Sequence, residues 1–240
     1  ASVAIHADGV KVAAAFAGHL HIWDADSGEE LYHSEGVARV ESFAEDARYV
    51  VVRKVEKRES ADAASPVEIV NLIALDWQDS KEQSLESLDD RAAVVAVAGR
   101  RLFIADNRPA RIHSWNEKPA IELAGSIRAA SFDQNAAWLA TANNDGPVQL
   151  WNARTGELIR TLEERSRQST LLAFNAQGDR LVTGGDNGTI RIWDVRSGLL
   201  LIALQETPAS IRQLGFSADG NLLLAVDSSG SAWIWDTRVP

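Results

Sequence analysis

Between Thr189 and Trp193 the apolar residues Ile190 and Ile192 alternate with Thr189, Arg191 and Trp193. That period of two, rich in β-branched residues, predicts a strand. Asp186-Asn187-Gly188 precedes it with residues that tolerate the positive φ of a tight hairpin, and Arg196-Ser197-Gly198 follows it with a second turn signal. Apolar runs flank both turns, RLVTGG (180–185) upstream and LLLIAL (199–204) downstream. The segment therefore reads as consecutive strands joined by hairpins, which form a small antiparallel sheet. In this segment Gly178, Gly184, Gly185, Gly188 and Gly198 interrupt any window long enough for a stable amphipathic helix.

The same pattern recurs along the chain. LHIWDADSG (20–28), VQLWNARTG (148–156), IRIWDVRSG (190–198) and WIWDTR (233–238) are direct copies, and LDWQDSKEQ and HSWNEKPA fit the frame more loosely. The marker residues are Trp23, Trp77, Trp115, Trp151, Trp193 and Trp235, at spacings of 54, 38, 36, 42 and 42 by subtraction. Their average of about 42 lies near the period of propeller blades. Upstream of the markers, FNAQGD (174–179), FSADG (216–220) and IHADG (5–9) each end a first apolar run in a turn before a second run begins. Each unit thus predicts four strands, and sheets this small must pack against neighbours to bury both faces.

On these residues the chain resembles the WD-repeat β-propeller family over essentially its whole length. The resemblance is strongest in the units ending at Trp151, Trp193 and Trp235 and weakest in the second and third. It implies an all-β propeller of four-stranded blades, approximately 1–36, 37–90, 91–125, 126–165, 166–207 and 208–240, within one domain spanning 1–240. The last unit stops after its third strand, which is compatible with a seven-bladed parent. The family commonly carries a Gly-His pair before the first strand and an Asp six residues before the Trp, bonded within the blade. Here those six positions hold Ala17, Asn71, Pro109, Asp145, Asn187 and Ser229, and the pair Gly18-His19 falls before a third strand. The blades are therefore expected to rest on packing more than on that polar network.

Composition narrows the function. Charged residues make up 24% and hydrophobic residues 45% of 240 residues, which excludes a disordered chain. A formal charge of -10 opposes duplex nucleic acid and anionic membranes, and no stretch is apolar for long enough to span a bilayer. The absence of cysteine removes disulfides and thiolate chemistry and is compatible with the cytoplasm. The absence of methionine, with an Ala-rich composition, points to a segment of a larger, bacterial multidomain protein.

Function is sought where the repeat is broken. The long interval before Trp77 comes from RKVEKRESADAASPVEIVN (53–71), an insertion between the second and third strands of unit two, read as an exposed loop or an extended hairpin. In the resemblance such loops share a face with the inter-blade loops, the usual partner-binding face. Its cations Arg53, Lys54, Lys57 and Arg58, with Arg100, Arg101, Arg108 and Arg111 of the next unit, are the candidate contacts for a protein partner.

Other candidates are weaker. His19 and His21 share a strand face, but among His6, His19, His21, His33 and His113 the sequence places no third ligand, so no metal and no cofactor is expected. The carboxylates Glu82, Glu86, Asp89 and Asp90 read as a solvated face, and the extra Trp138 and Trp233 as packing residues. No phosphate loop, nucleophile elbow or zinc-protease motif occurs. The leading expectation is a non-catalytic recognition or scaffold module, joined to other domains of a parent polypeptide. The alternative is an enzyme with an acidic or metal site in a central channel, which the small, apolar first strands VAIHA, RAASF, TLLAF and IRQLGF oppose.

Overall fold

A computed structural model describes residues 2–6, 9–44, 48–58, 67–88, 94–106, 108–115, 121–143, 147–162, 169–204 and 207–238. These residues form β-strands and turns in six antiparallel sheets, the blades of a β-propeller. The first sheet comprises β1 (Ser2–Ile5), β2 (Lys11–Phe16), β3 (His19–Asp24) and β4 (Glu30–Glu35). The second comprises β5 (Val37–Ala44), β6 (Tyr49–Arg58), β7 (Val67–Asp76) and β8 (Lys81–Leu88). In the third are β9 (Val94–Ala98), β10 (Arg101–Ala105), β11 (Ala110–Ser114) and β12 (Ile121–Leu123).

The fourth sheet holds β13 (Ile127–Phe132), β14 (Trp138–Asn143), β15 (Val148–Asn152) and β16 (Leu158–Thr161). The fifth holds β17 (Ser169–Phe174), β18 (Arg180–Gly185), β19 (Ile190–Asp194) and β20 (Leu200–Leu204). The sixth has three strands among the described residues, β21 (Ile211–Phe216), β22 (Leu222–Asp227) and β23 (Ala232–Asp236). Two compact units partition the chain, 1–108 with 114–116, and 109–113 with 117–240.

Alternation sends successive side chains to opposite faces of each sheet, and both faces are apolar because sheets stack. In the second unit the fourth sheet presents Ala140 and Leu150 to Leu181, Trp193, Leu172 and Phe174 of the fifth. The fifth in turn presents Val182 and Ile192 to Ile211, Leu223, Ala225, Leu214 and Phe216 of the sixth. We call the face turned to the following sheet trailing and the other leading. In the first unit, Ala13, Leu20 and Ile22 trail onto Val40, Phe43, Val50 and Leu75 of the second sheet. The second sheet trails Val51 and Leu72 onto Leu102 and Ile104 of the third. Each fully buried aliphatic side chain contributes about 1.5–3 kcal/mol, so these interfaces hold the blades.

Register refines the repeat frame. Trp193 pairs with Leu181 and Asp194 with Arg180; Trp151, Trp23 and Trp235 make the corresponding pairs with Leu139, Val12 and Leu223. In the second sheet the same places belong to Leu75, paired with Val50, and Asp76, paired with Tyr49. Trp77 thus lies two residues past the marker position. Trp115 is displaced equally: its N–H donates to the Arg100 carbonyl at 3.1 Å, as the N–H of Val195 does to Asp179 and that of Ala153 to Ala137. The equivalent marker is His113, and the spacings become 52, 38, 38, 42 and 42 by subtraction. Two residues preserve the strand face, so Trp77 and Trp115 still pack on leading faces, Trp115 meeting Tyr49 edge-on with ring centres 5.4 Å apart.

Candidate interaction surfaces

The insertion of the second blade is an extended hairpin. β6 and β7 pair at ten successive positions, from Tyr49 opposite Asp76 to Arg58 opposite Val67. β5 accompanies β6 as far as Lys54, and β8 accompanies β7 as far as Val70. Beyond Val55 and Val70 the described pairing is therefore a two-stranded ribbon, Glu56–Ile69, Lys57–Glu68 and Arg58–Val67. Three residues of strand extend it by about 10 Å. Residues 59–66, with the Pro66 of the sequence reading, lie outside the described residues, as do Asp89, Asp90 and Asp145.

The candidate cations occupy unlike environments. Arg53, expected at the exposed start of a loop, is only 4% exposed and pairs with Glu41. It lies within the four-stranded part of the blade, where the extended β6 carries it indoors. Lys54 pairs with Glu82. Arg108 bonds the Asp106 carboxylate at 2.7 Å and that of Glu86 at 3.2 Å. Arg111 is buried, its guanidinium donating to the Pro109 carbonyl. Arg101 is partly buried on β10, while Arg100 is exposed. Lys57 and Arg58 belong to the ribbon, with side chains outside the described set. Three of these cations are thus paired with carboxylates, two of which, Glu82 and Glu86, were expected to form a solvated face.

The turns after the marker strands are built by one carboxylate or amide each. Asp194 Oδ1 accepts from the N–H and hydroxyl of Ser197 at 2.7 and 2.6 Å. Asp24 repeats this with Ser27 and also accepts from the N–H of Asp26, while Asn152 accepts from the N–H groups of Arg154 and Thr155. In the last sheet Asp227 does the same in the turn before the marker strand, accepting from Ser229, Ser231 and the Trp233 indole. The Asp of the Trp-Asp signature is therefore a turn cap.

Donors of this kind favour the charged carboxylate. The backbone N–H of Ser27 holds Asp24 below the ordinary carboxylate range, and the hydroxyls of Ser197, Ser217 and Ser229 do so for Asp194, Asp219 and Asp227. The Arg238 guanidinium brings Asp236 down to about 2. For Asp76 burial pushes upward, but the Arg48 guanidinium and the Asp79 N–H outweigh it. All these shifts are depressions, so their stabilisation is complete above the unfolded carboxyl value and lost as pH falls through the folded values. Thermal melts are expected to hold a constant midpoint near neutrality and to decline progressively below about pH 4. A midpoint unchanged down to about pH 2 would contradict the capping account.

Part of the family's polar network survives in two blades, beside the packing on which the blades are expected chiefly to rest. Trp151 Nε1 donates to Thr141 Oγ1 at 2.8 Å and Trp193 Nε1 to Thr183 Oγ1 at 3.2 Å, both within buried sheets. The register-equivalent positions elsewhere are Ala14, Val52 and Ala225. In the sixth sheet the Trp233 indole turns to Asp227 at 3.1 Å, and the ring stacks beside Trp235. Trp138 packs partly buried against the fourth and fifth sheets.

A third imidazole joins the two histidines read from the sequence. His33 pairs across β4 with His21, and its ring stacks on His19 with a 3.3 Å contact between Nε2 and Nδ1. Only the pairing register could reveal it. His21 is engaged by Glu30 and stacks between Phe16 and Trp23. Among the described residues no group of three or more His, Cys, Asp or Glu side chains is arranged to hold a metal. No helix among them is long and apolar enough to cross a membrane.

Comparison with known proteins matches the family described as "WD domain, G-beta repeat" at residues 156–194 and 200–236. The first runs from β16 of the fourth sheet through β19 of the fifth, the second from β20 of the fifth through β23 of the sixth. A relative, Mitochondrial division protein 1 of Candida glabrata, is 40% identical over 74 residues. That stretch covers 31% of this chain and 9% of the relative's length. Six successive blade-type sheets, one marker register running through them and indole–threonine bonds inside two of them make the chain similar to the WD-repeat β-propellers whose family model it matches at these two stretches.

Proposed function

We propose that the chain is a non-catalytic recognition module that holds a protein partner on loops carried by its blades, with the β6–β7 hairpin as principal contact. The observation that carries this reading is the ribbon itself. It lengthens one blade beyond its four paired strands while β6 and β7 keep one continuous register from Tyr49–Asp76 upward, as a binding element added to a scaffold does. The polar side chains around it support a binding role over catalysis. Carboxylates are engaged as turn caps or paired with Arg and Lys, and in these arrangements none is poised as a general acid or base. WD-repeat proteins in general serve protein interaction, and this reading applies that role to one named element.

Replacing residues 59–66 by Asn-Gly tests it, because Arg58 and Val67 already flank the position with the geometry of a two-residue hairpin. The tagged chain and this variant are used to recover proteins from extract of the source cells, with quantitative mass spectrometry. At least one specifically retained protein is expected to fall about tenfold or more, equivalent to about 1.4 kcal/mol, while the thermal midpoint stays unchanged. Equal recovery of every retained protein rejects the hairpin as the contact.

A further inference from the structure

The fourth strand of a blade has one free edge, a row of backbone N–H and C=O groups that another strand can pair with. Among the described residues β4, β8, β12, β16 and β20 hold this place in the first five sheets, each paired only with the strand before it. Four of them carry charge: Glu30 and Glu35 in β4, Lys81, Glu82 and Glu86 in β8, Glu122 in β12 and Arg160 in β16. Such charges blunt an edge against recruiting a further strand. β20 carries none, and the run from Gly198 to Leu204 is uncharged throughout.

The edge that lacks charge is also apolar and open. Leu199, Leu200 and Leu201 are 66%, 45% and 43% exposed. Beside them β16 exposes Leu158 and Ile159. Arg160 ties β16 to the turn that enters β20: its guanidinium donates to the Arg196 carbonyl at 2.9 Å, and its stem fills the space where Gly198 would carry a Cβ. All these residues lie in the second unit. The fourth and fifth sheets thus share an exposed apolar strip, and its centre is the uncharged edge.

We propose that β20 pairs antiparallel with β20 of a second copy of this chain, related by a two-fold axis, so that two fifth sheets become one continuous sheet. Edge N–H and C=O groups are satisfied in register by another strand, and the absence of charge suits this strand to its own copy in particular. A two-fold pair runs a strand against itself reversed, so a charge near the middle meets its own copy, and like charges directly opposite are destabilising. Glu122 of β12 and Arg160 of β16 would meet themselves in this way, whereas β20 sets only leucine, isoleucine and alanine against one another. The contact is isologous, so it closes at a dimer. A single strand pair with its flanking leucines falls at the small end of specific interfaces, below about 1,200 Å² in total, which sets the expected affinity on the order of micromolar.

Sedimentation velocity on the full chain from about 1 to about 100 μM, with Leu201→Lys and Ser84→Lys, tests this. The wild type is expected to pass from monomer to dimer with nothing larger. Leu201→Lys gives β20 the charge that the other four strands carry, and is expected to weaken association at least tenfold. Ser84→Lys adds the same charge at an exposed position of β8 and should leave association unchanged. Both positions are exposed, so far-UV circular dichroism of each variant should match the wild type. Hydrogen exchange read by mass spectrometry separates strand pairing from side-chain contact alone. Amides of 199–204 are expected to exchange more slowly at about 100 μM than at about 1 μM, because pairing engages the N–H groups of the free edge. A wild type monomeric throughout, assembly beyond a dimer, equal loss in the two variants, or exchange of 199–204 independent of concentration overturns the proposal.

Discussion

Trp193→Ala is expected to lower stability by about 3–5 kcal/mol, the largest loss of any single truncation in the second unit. Trp193 is 2% exposed and sits on the leading face of the fifth sheet, against Ala140 and Leu150 of the fourth. Its removal leaves a cavity between two sheets whose strands are hydrogen-bonded in place, so the walls collapse little. The indole bond to Thr183 adds to the loss, at about 1 kcal/mol. Trp193→Phe separates the two contributions, because it restores most of the volume without the donor. Urea denaturation followed by circular dichroism should place Trp193→Phe well above Trp193→Ala. The two variants behaving alike would mean that the hydrogen bond, and not packing, dominates.

Gly188→Ala is expected to cost about 2–4 kcal/mol by adding backbone strain to a steric clash. Gly188 has φ of +78° in the turn between β18 and β19, where its N–H donates to the Gly185 carbonyl at 3.1 Å. A Cβ there would run into the Thr207 carbonyl oxygen and lie 3.0 Å from that of Ala209. Those atoms belong to the segment entering the sixth sheet, which is tied to the turn by the Thr207 N–H donating to the Gly188 carbonyl at 3.0 Å. Gly230 is the control. It occupies the equivalent turn of the sixth sheet with φ of +86°, and nothing lies within 4 Å of its Cβ direction. Gly230→Ala should therefore cost only the conformational part, about 1 kcal/mol. Equal losses at the two sites would show that the approach of residues 207–209 carries no weight.

Those two glycines illustrate how far local pattern reaches. Asp186-Asn187-Gly188 and Ser228-Ser229-Gly230 both announce a tight turn, and both glycines adopt the expected positive φ. That one turn is pressed against an incoming segment while the other is open depends on chain 20 residues further on. The tryptophan frame behaves similarly. Trp77 and Trp115 are conspicuous enough to be taken as markers, yet register gives that place to Leu75 and His113. Alternation conceals the error, because a shift of two returns the side chain to the same face.

The candidate surface was legible in outline. The overlong interval and its turn-forming middle marked 53–71 as an anomaly, and an extended hairpin is what β6 and β7 form. The cations were not legible as a group. Arg53, Lys54 and Arg108 meet Glu41, Glu82 and Glu86, residues 12, 28 and 22 positions away that pairing alone brings near. Likewise His33 reaches His19 and His21 only through the β3–β4 register.

By itself the sequence determined the strands, their turns and their repetition, because alternation and turn chemistry act over a few residues. What covers each face was decided by tertiary structure alone. Val182 and Ile192 of the fifth sheet are fully buried because Leu214, Phe216, Leu223 and Ala225 of the sixth lie over them, which nothing in β18 or β19 announces. A strand's own residues say which face is apolar, whereas burial depends on whether another sheet arrives to meet it.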